Sequence, residues 1–452
     1  MSLRSEISQV IDRQICVGCG ACAVVAPNAI KMVRDSDGAM VARVVNDEAL
    51  TSLPSGVCPF NNYAPNEDAH SERLWPNMRK HPSIGRFASC WAGHVVEGDF
   101  RAKGSSGGLT SWLAAEILKT GFVKAVLHVY PRVSGQANDL FYYSISRTPE
   151  EVSHGAKSRY FSVSMDAALR EVLTKKEDFA FIGVPCYIKA VRNLACYDPE
   201  ISKRLKLCLS LICGHMKASS FAESLAWQLG VPPGRLQNVD FRVKLPGRAA
   251  NSYGFSAISQ NGNEFFEPMT KLAGRSWDAG YHRLRACDYC DDVFGETADV
   301  TLGDAWLPPY SKDFRGTNVI VARNPMMAAL LENAHTAGRL KLDGLDVEPA
   351  ARSQAGGLRD RRVGLAYRLL LDEKRGRWCP TKRVTAADGS MAWTRKLSFR
   401  LRRIVRERSF KSFQTAKKLG TISLYKLEMQ FWQTCLQSLR KLERSLPSFR
   451  NE

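Results

Sequence analysis

The chain has 452 residues and a formal net charge of +19, with 44% hydrophobic residues. This length has room for two or three domains with large cores, and no run of about 18 apolar residues predicts a membrane-spanning helix. Most of the excess charge lies in residues 351–452, which carry 25 Lys or Arg and 8 Asp or Glu. Because no base-reading or stacking motif accompanies this charge, the composition argues against a nucleic-acid-binding protein.

Four cysteines near the start, Cys16, Cys19, Cys22 and Cys58, form the most informative pattern of the chain. Their C-x2-C-x2-C spacing, closed by a distant Cys-Pro, is typical of a 4Fe-4S cluster. Ala26 occupies the position where a two-cluster ferredoxin has a cysteine that serves the neighbouring cluster, and no second triplet follows. The pattern therefore predicts a ferredoxin-like module that holds one cluster.

Zinc and disulfides fit these cysteines less well. Structural zinc usually takes two well-separated C-x2-C or Cys/His pairs, which is not the spacing found here. Disulfides are typical of secreted chains, and no signal peptide is recognisable, so we expect a cytoplasmic protein whose thiolates are free to bind iron. Gly18 and Gly20 also fit a cluster, because glycine lets a loop backbone approach the sulfides and donate N–H groups to them.

Composition and pattern divide the chain into five parts. Residues 1–62 form the cysteine module, residues 63–85 have the polar, proline-containing composition of a linker, and residues 86–340 alternate helix and strand patterns. Residues 341–390 are a basic extension, and residues 391–452 are a basic tail with helical periodicity. The alternation predicts an α+β fold, with a small ferredoxin-like module followed by a mixed α/β domain and a helical tail.

The α/β part is predicted to contain at least five strands and four helices. The strands are at residues 122–130, 178–184, 204–213, 298–302 and 317–323. The helices are at residues 109–120, 165–173, 219–229 and 326–337.

A second set of cysteines consists of Cys186, Cys213, Cys287 and Cys290. The first two each follow a predicted strand, at the edge where α/β sheets place ligands, and the last two form a C-D-Y-C motif. If the two strands are neighbours, all four thiols converge and can hold a second 4Fe-4S cluster. A buried cysteine is also common as a small apolar residue, so the spacing alone leaves both interpretations open.

A serine- and glycine-rich turn, Lys103-Gly104-Ser105-Ser106-Gly107-Gly108, leads into the helix predicted from residue 109. A helix N-terminus offers unpaired N–H groups and a partial positive charge, which suit a phosphate. Ser105 or Ser106 can bind a phosphate oxygen, or the segment can be an ordinary helix cap with flexible glycines. It is neither a Walker loop nor a G-x-G-x-x-G motif.

Seven segments together resemble the beta subunits of coenzyme F-420 hydrogenases and dehydrogenases. They are K-G-S-S-G-G (103–108), G-A-K-S-R-Y (155–160), I-G-V-P-C (182–186), L-I-C-G-H (211–215), F-R-V-K-L-P-G (241–247), C-D-Y-C (287–290) and A-D-V-T-L-G-D-A-W (298–306). They follow the family's order and cover about residues 86–325. The N-terminal cysteine module also matches a common architecture of this family.

The resemblance implies a flavoprotein that carries FAD or FMN, and a 4Fe-4S cluster on Cys186, Cys213, Cys287 and Cys290. The residues it places at the flavin are Lys103, Ser105, Ser106, Gly107, Gly108, Lys157, Ser158, Arg159 and Tyr160. The chain departs from the family where it has A-K-S-R-Y instead of the more frequent G-S-K-Y, and Gly214-His215 instead of His-Gly. These departures leave the substrate and the hydride partner open.

The activity expected from these features is that of an oxidoreductase. An external one-electron donor, such as a ferredoxin, would pass electrons through two clusters to the flavin, which exchanges a hydride with a small organic acceptor. Lys157 and Arg159 are candidates for neutralising a reduced flavin or an anionic substrate, and Tyr160 and His215 are candidate proton donors. Asp304 is a candidate ligand of the flavin, or a turn-capping residue.

Two other functions remain open from the sequence. One is an electron-transfer subunit that relays electrons to a partner without substrate chemistry of its own. The other is a scaffold without redox function that holds zinc in its cysteine sites.

The tail, residues 391–452, is predicted to form two amphipathic helices. The first places Leu397, Leu401, Ile404 and Val405 at helical spacing among basic residues, and the second places Leu424, Leu427, Phe431, Cys435, Leu439, Leu442 and Leu446 on one side. Such helices can lie on an anionic membrane surface, dock on an acidic protein such as a ferredoxin, or pack on the body of the chain.

Overall fold

A computed structural model of the chain describes residues 3–52, 54, 56–132, 139–389 and 391–445. The strands of this part are β1 Ile30–Arg34, β2 Met40–Val44, β3 Arg79–His81, β4 Gly85–Phe87, β5 Ser89–Val95, β6 Ala125–Pro131, β7 Phe141–Ser146, β8 Phe179–Gly183, β9 Leu205–Leu211, β10 Leu236–Val243, β11 Gly254–Ser259, β12 Glu264–Pro268, β13 Val300–Asp304, β14 Asn318–Ala322 and β15 Leu340–Gly344. The α-helices are α1 Leu3–Asp12, α2 Ala21–Val25, α3 Glu67–Leu74, α4 Phe100–Lys103, α5 Leu109–Lys119, α6 Pro149–His154, α7 Asp166–Thr174, α8 Pro185–Tyr197, α9 Pro199–Arg204, α10 Ser219–Gln228, α11 Pro325–Thr336, α12 Val347–Arg352, α13 Ala355–Arg359, α14 Leu365–Glu373, α15 Trp393–Leu419 and α16 Ser423–Ser445.

Eight strands form a central mixed sheet in the order β15-β5-β14-β13-β9-β8-β6-β7. The neighbours β6, β8, β9 and β13 are parallel, whereas the outer pairs are antiparallel. All five residues of β8, Phe-Ala-Phe-Ile-Gly, are buried, as expected for a parallel strand covered on both faces. The predicted α+β class with a mixed sheet is confirmed.

Helices cover both faces of this sheet. On one face, Trp112 of α5 and Leu331 of α11 pack against Leu207 and Ile320 of the sheet. The helices α7, α8 and α10 contribute to the core on the other face, which is continuous with residues of the cysteine module. The carboxyl ends of the parallel strands open between these layers.

The five predicted strands and the four predicted helices are all present, with ends that differ by up to three residues. Strands β5, β7 and β15 of the same sheet were not predicted. In β5 the residues Trp91, Ala92 and Gly93 are all buried, so the strand lacks the alternation of a half-exposed strand.

The cysteine module, residues 1–62, contains α1, α2 and the antiparallel pair β1–β2. Val17, Ala21 and Phe60 belong to the same apolar core as Phe141 and Phe181 of the large sheet. The module is therefore packed directly on the α/β domain.

The segment predicted as a linker, residues 63–85, holds helix α3 and strand β3, which pairs with β4. Glu67 and His70 of α3 are buried. Glu67 forms an ion pair of 3.2 Å with Lys189, and His70 Nε2 lies 2.7 Å from Asn193 Oδ1. Part of the polar composition of this segment therefore comes from buried, paired side chains, whereas Glu72, Arg73 and Lys80 are exposed.

A smaller antiparallel sheet, β10-β11-β12, lies beside the central one. It carries the F-R-V-K-L-P-G segment, whose Phe241 is buried in the main core. This sheet supplies one wall of the cavity described below.

Both predicted tail helices are present as α15 and α16, and they pack on the body of the chain. The residues that make this contact include Val405 and Phe413 of α15 and Tyr425, Met429 and Leu436 of α16. Of the predicted apolar rows, Leu397, Ile404, Leu424, Leu427, Phe431 and Leu442 instead face outward, Val405 and Leu439 are buried, and Leu446 lies outside the described residues.

The inward face of α15 also carries charged residues. Arg403 and Arg406 of α15 point inward, where they pair with Asp372 and Asp288. None of the helices in the described ranges combines the length and apolar character that crossing a bilayer requires.

Candidate functional site

In the first cysteine set, Cys16 and Cys19 lie on the loop before α2, Cys22 lies in the first turn of α2, and Cys58 lies in the segment that follows residue 56. Gly18 and Gly20 have φ values of 77° and 87°, which favour glycine, and these turns bring Cys16, Cys19 and Cys22 around one loop. The Sγ atom of Cys16 accepts a 3.4 Å hydrogen bond from the Ala42 N–H. A backbone N–H group therefore points at this sulfur, as expected for a loop that holds a cluster.

Burial raises the pKa of each of the four thiols in this set. The pKa of Cys58 is raised to about 12, with Lys189 and Lys382 acting in the opposite direction. The charges of Cys16, Cys19 and Cys58 add to the raised pKa of Cys22, so the four sulfur atoms are near one another. Ionised thiolates in this arrangement require a bound cationic centre.

The second cysteine set is also brought together. Cys186 follows β8 and Cys213 follows β9, and these strands are parallel neighbours. Cys287 lies in a 3-10 helix, Arg285–Tyr289, and Cys290 follows it. Burial, and then the charges of Cys290, Cys213 and Cys287, raise the pKa of Cys186. The predicted convergence at the carboxyl ends of two strands is therefore observed.

A buried arginine accompanies this second set. Arg361 lies in a π-helical turn, Asp360–Gly364, and is almost fully buried. Burial lowers its pKa, but the charges of Cys290 and Cys213 outweigh this and raise the pKa above its usual range. This residue was not predicted, because nothing in its local sequence connects it to the cysteines.

The spacing of the thiols bears on what each set can hold. Within the described ranges, no three Cys, His, Asp or Glu side chains are gathered closely enough to hold one metal ion. A zinc ion needs four ligands at about 2.0–2.3 Å. In a 4Fe-4S cube each thiolate binds a different iron atom, so the four sulfurs stand farther apart. Each set offers four thiols, a donor set that a 4Fe-4S cluster or a zinc ion can take.

Tyr187 lies between the two cysteine sets. Its Oη donates a 2.6 Å hydrogen bond to the carbonyl oxygen of Val163, and its ring stacks on Tyr143 with centroids 6.0 Å apart. Burial, and then the charge of Cys19, raise its pKa, and Cys186 contributes in the same direction. The two sets thus approach each other across one buried aromatic residue.

A cavity of about 860 Å³ opens at the carboxyl ends of the parallel strands. Most of the predicted flavin and catalytic residues lie on its wall: Ser105, Ser106, Gly108, Lys157, Ser158, Arg159, Tyr160, His215 and Asp304. Cys213 of the second set lines the same cavity. The volume is in the range of cofactor sites.

Two predicted flavin residues lie elsewhere. Lys103 does not line the cavity, and its half-exposed side chain pairs with Asp99 at 2.5 Å. Gly107 packs against the backbone of Gly93 and Asn318, where a Cβ atom would come within 2.7 Å of the Gly93 oxygen. Gly107 is thus required by close packing, and Lys103 is a surface cation.

The serine turn and the 155–160 segment contact each other directly. Ser105 Oγ accepts a 2.8 Å hydrogen bond from the Ser158 N–H, and Ser106 Oγ donates a 3.1 Å hydrogen bond to the Thr317 oxygen. Neither serine caps α5, because Asn318 Oδ1 accepts from the Leu109 N–H at 3.2 Å. The serines therefore shape the wall of the cavity.

Lys157 and Arg159 lie on opposite sides of Ser158. Lys157 has a φ of 91°, which is uncommon for a side chain of this size, and its Nζ lies 3.0 Å from Asp240 Oδ2. Burial lowers the pKa of Arg159 to about 10, and its guanidinium lies 4.9 Å from the centre of the Phe141 ring. Backbone strain of the kind found at Lys157 is common at ligand sites.

Asp304 forms a bidentate ion pair with Arg242, with N–O distances of 2.7 and 3.0 Å. Arg242 is buried, lines the cavity and lies 5.1 Å from the centre of the Tyr253 ring. Burial raises the pKa of Tyr160, and Arg242 opposes that shift. Arg242 was quoted within a motif but was not predicted as a site residue.

His215 stacks on Trp277 with ring centres 4.2 Å apart, and the ring centres of Tyr160 and Trp277 are 4.5 Å apart. Burial, and then Lys217, lower the pKa of His215 well below its usual value, so it is neutral at pH 7. Trp277 thereby joins two candidate proton donors, and no sequence signal marked it.

Several polar atoms on the cavity wall are buried without a hydrogen-bond partner in the described part of the chain. They are Nε2 of His215, Nε of Arg159, Nε of Arg242 and Nη1 of Arg361. Buried donors without partners are costly, and such groups are expected where a ligand supplies acceptors. The cavity therefore fits a ligand rich in hydrogen-bond acceptors, as a flavin is.

Comparisons with known proteins give a family and a fold. Residues 90–170 match the model for the N-terminal part of the coenzyme F-420 hydrogenase/dehydrogenase beta subunit, and residues 176–348 match the model for the C-terminal part of the same protein. A relative from Methanosarcina mazei, the F subunit of its F(420)H(2) dehydrogenase, is 23% identical over 309 residues, covering 67% of this chain and 79% of the relative.

A similar solved structure is a chain from the xenon-derivatised F-420-reducing NiFe hydrogenase complex of Methanosarcina barkeri. The TM-score is 0.50 at 14% identity, covering 70% of this chain and 100% of that chain, so this likeness concerns the fold alone. The two family models together cover more than half of the chain, in the region that forms the cavity and the second cysteine set. The chain belongs to the family of coenzyme F-420 hydrogenase/dehydrogenase beta subunits.

Proposed function

We propose that the chain is an iron–sulfur flavoprotein oxidoreductase. It takes electrons one at a time from a donor protein and passes them on to an organic acceptor, or runs in the reverse direction. Bound to this chain, a flavin would supply hydride chemistry and two 4Fe-4S clusters would supply one-electron transfer. Membership of a family of redox subunits supports this proposal.

One observation carries the proposal. The cavity with the predicted flavin residues and the second cysteine set share Cys213 in their common wall. A flavin in that cavity would lie directly beside the thiols of the second set, whereas Tyr187 and Cys19 connect this set to the first. The cavity wall includes both Cys213 of the second set and Tyr187, whose neighbours include Cys19 of the first, and such closeness favours stepwise electron transfer.

The residues around the cavity have definite tasks in this proposal. Lys157 and Arg159 place positive charge at the edge formed by the 155–160 segment, where an anionic ligand group would bind. Arg242 is held by Asp304, so its guanidinium keeps one orientation towards the cavity. The neutral His215 can donate one N–H hydrogen bond from a water-poor position against Trp277.

The test is the cofactor content of the protein purified without oxygen. We expect about eight iron atoms, an equal amount of acid-labile sulfide and about one flavin per chain. The variants Cys19→Ala and Cys213→Ala should each lose about half of the iron, because each removes one ligand of one cluster. Cys196→Ala is the matched control, since this cysteine is exposed and belongs to neither set.

Zinc in place of iron, or an iron content unaffected by both variants, would contradict the proposal. About four iron atoms without flavin would leave the N-terminal cluster alone and favour a relay subunit. Release of FAD or of FMN would identify the flavin.

The second candidate function is an electron-transfer subunit without substrate chemistry. The observation that favours it is that one similar structure is a chain of a hydrogenase complex. A flavin that dithionite reduces but no small molecule reoxidises would support this candidate, whereas turnover with a small-molecule acceptor would exclude it.

A further inference from the structure

A second cavity, of about 480 Å³, lies on a different part of the molecule and is lined mainly by arginines. Seven of its thirteen lining residues are arginines, and we call it the arginine cavity. Three carboxylates also line it: Asp288, Asp372 and Glu407. The formal charge of the wall is therefore strongly positive.

Each of the three carboxylates is already paired. Asp288 pairs with Arg406, Asp372 lies 2.6 Å from Arg403, and Glu407 lies 3.3 Å from Arg285. Asp372 also lies 3.7 Å from Arg377, so four of the seven arginines share these three carboxylates.

Three arginines of the wall form no ion pair among the residues that the structure describes. They are Arg13, Arg375 and Arg400; Arg375 and Arg400 are exposed, and Arg400 lies over the ring of Tyr367, at 5.6 Å. Unpaired arginines that converge on one cavity attract anionic partners from solution, and carboxylates satisfy their planar donors well.

The arginine cavity lies beside both cysteine sets. Asp288 and Tyr289 of its wall are the two middle residues of the C-D-Y-C motif, between Cys287 and Cys290. Arg13 precedes Cys16 by three residues, and its carbonyl oxygen accepts a hydrogen bond from Arg285. A molecule bound here would contact chain segments that lead directly to both sets.

Most of the wall comes from the part of the chain that follows the family models. Arg400, Arg403 and Arg406 belong to α15, and Arg375 follows α14, whereas the second family model ends at residue 348. The C-terminal part thus supplies most of the positive charge of this cavity.

We propose that the arginine cavity is the docking site of the electron donor, a small redox protein with an acidic surface. This inference rests on the proposed function and names the partner. Complementary charge would steer the encounter and fix its orientation. Each encounter would oxidise the donor by one electron and reduce this chain by one electron, and no bond would form or break.

The experiment measures reduction of the full-length, cofactor-loaded protein by stopped flow. The donors are a reduced acidic 2Fe-2S ferredoxin and, separately, reduced methyl viologen, a small cation that needs no docking site. The variant is Arg375→Glu/Arg400→Glu, because both residues are exposed and have no carboxylate partner in the described part of the chain. The matched control is Lys119→Glu/Lys124→Glu, which changes the charge equally at exposed positions away from the cavity.

We expect the second-order rate with ferredoxin to fall at least about tenfold in the arginine variant and to change less than about twofold in the lysine control. The rate of the unchanged protein should fall as salt is added, and this dependence should be weaker in the arginine variant. Reduction by methyl viologen should be the same in all three proteins.

An unchanged ferredoxin rate in the arginine variant would overturn the inference and leave the proposed function intact. Equal losses in both variants would also overturn it, because net charge would then be the cause. If tripolyphosphate bound to the cavity while the rate of reduction by ferredoxin was the same in the arginine variant as in the unchanged protein, the cavity would be a small-anion site. If neither donor reduced the unchanged protein, the proposed function and this inference would both fail.

Discussion

Arg361 donates a 2.6 Å hydrogen bond to the carbonyl oxygen of Gly214, the residue directly after Cys213. Its Nε donates a second bond to the carbonyl oxygen of Asp292, two residues after Cys290. One buried guanidinium therefore connects the two chain segments that carry the second cysteine set, and it adds a positive charge next to their sulfurs.

The first prediction concerns the electrostatic role of Arg361. At an effective dielectric constant of about 20, loss of a nearby positive charge makes the addition of one electron less favourable by roughly 2 kcal/mol. This corresponds to a change in reduction potential on the order of 90 mV. We expect Arg361→Met to lower the reduction potential of the second cluster by about this amount, and Arg361→Lys to lower it less. Redox titration followed by electron paramagnetic resonance gives the potential.

The control for this prediction is Arg359→Met, which removes an exposed arginine two residues away. The reduction potential of the second cluster in Arg359→Met should match that of the unchanged protein. A potential unaltered in Arg361→Met, at full iron content, would show that this charge does not act on the cluster.

Lys382 occupies a comparable position between the two sets. Its Nζ lies 3.6 Å from Asp291 Oδ1 and 4.9 Å from the centre of the Phe60 ring, and its side chain is 4% exposed. It opposes the burial that raises the pKa of Cys58. Burial lowers the pKa of Lys382 itself, but Asp291, Glu67 and then Cys290 outweigh this and raise it. One buried ammonium thus interacts with both sets.

The second prediction follows from this position. Lys382→Met should lower the reduction potentials of both clusters, each by tens of millivolts, because one charge is lost near each. Arg361→Met should affect mainly the second cluster. Lys374→Met, at an exposed position, is the matched control. A shift in one cluster alone after Lys382→Met would place the lysine beside that cluster only.

The third prediction concerns acid stability. Burial lowers the pKa of His70 to about 4 from its ordinary value of 6.5. Between these two values the unfolded chain binds a proton that the folded chain does not, so the free energy of unfolding falls as the pH falls from 6.5 to 4. Above pH 6.5 this loss is absent. His70→Gln keeps a side-chain N–H for Asn193 and removes this proton uptake.

Denaturant unfolding at several pH values tests this prediction. Between pH 7 and pH 4, we expect the free energy of unfolding to fall by up to roughly 3 kcal/mol more in the unchanged protein than in His70→Gln. His154→Gln is the control, since this histidine is exposed and should leave the pH profile unchanged. Parallel profiles for His70→Gln and the unchanged protein would show that His70 does not titrate differently in the two states.

Local sequence was sufficient to predict the convergence of the second cysteine set. Cys186 and Cys213 each follow a strand, and neighbouring parallel strands end at the same edge of a sheet. The ordered motifs likewise predicted a large part of the cavity wall, and Ser105 and Ser158, which come from two of these motifs, contact each other.

Ion pairs between residues far apart along the chain could not be predicted from the sequence. Arg361 and Lys382 lie in a segment whose composition resembles a solvated basic extension, and only the fold brings them to cysteines far away along the chain. Glu67 made α3 resemble a polar linker for the same reason, since its partner Lys189 lies on α8. A buried charge cannot be distinguished from an exposed one until its partner is known.

The last prediction concerns the tail helices, whose inward and outward faces should differ in their effect on stability. Phe413→Ala on the inward face of α15 should lower the free energy of unfolding by about 3–5 kcal/mol, because it leaves a cavity in a packed core. Leu427→Gln/Phe431→Gln, on the outward face of α16, should change it by less than about 1 kcal/mol. Thermal or denaturant unfolding distinguishes the two faces.

This difference determines how membrane binding by the tail must be tested. Deleting residues 391–452 would remove Arg403 and Arg406 and leave Asp288 with fewer partners, and breaking a buried ion pair costs about 3–5 kcal/mol. We therefore expect the deletion to destabilise the whole chain. A loss of vesicle binding could then result from unfolding as well as from the loss of a lipid contact. The outward double variant keeps the fold and removes the exposed apolar row. Pelleting with anionic vesicles that falls in this variant alone would assign lipid contact to α16, whereas unchanged pelleting would exclude it.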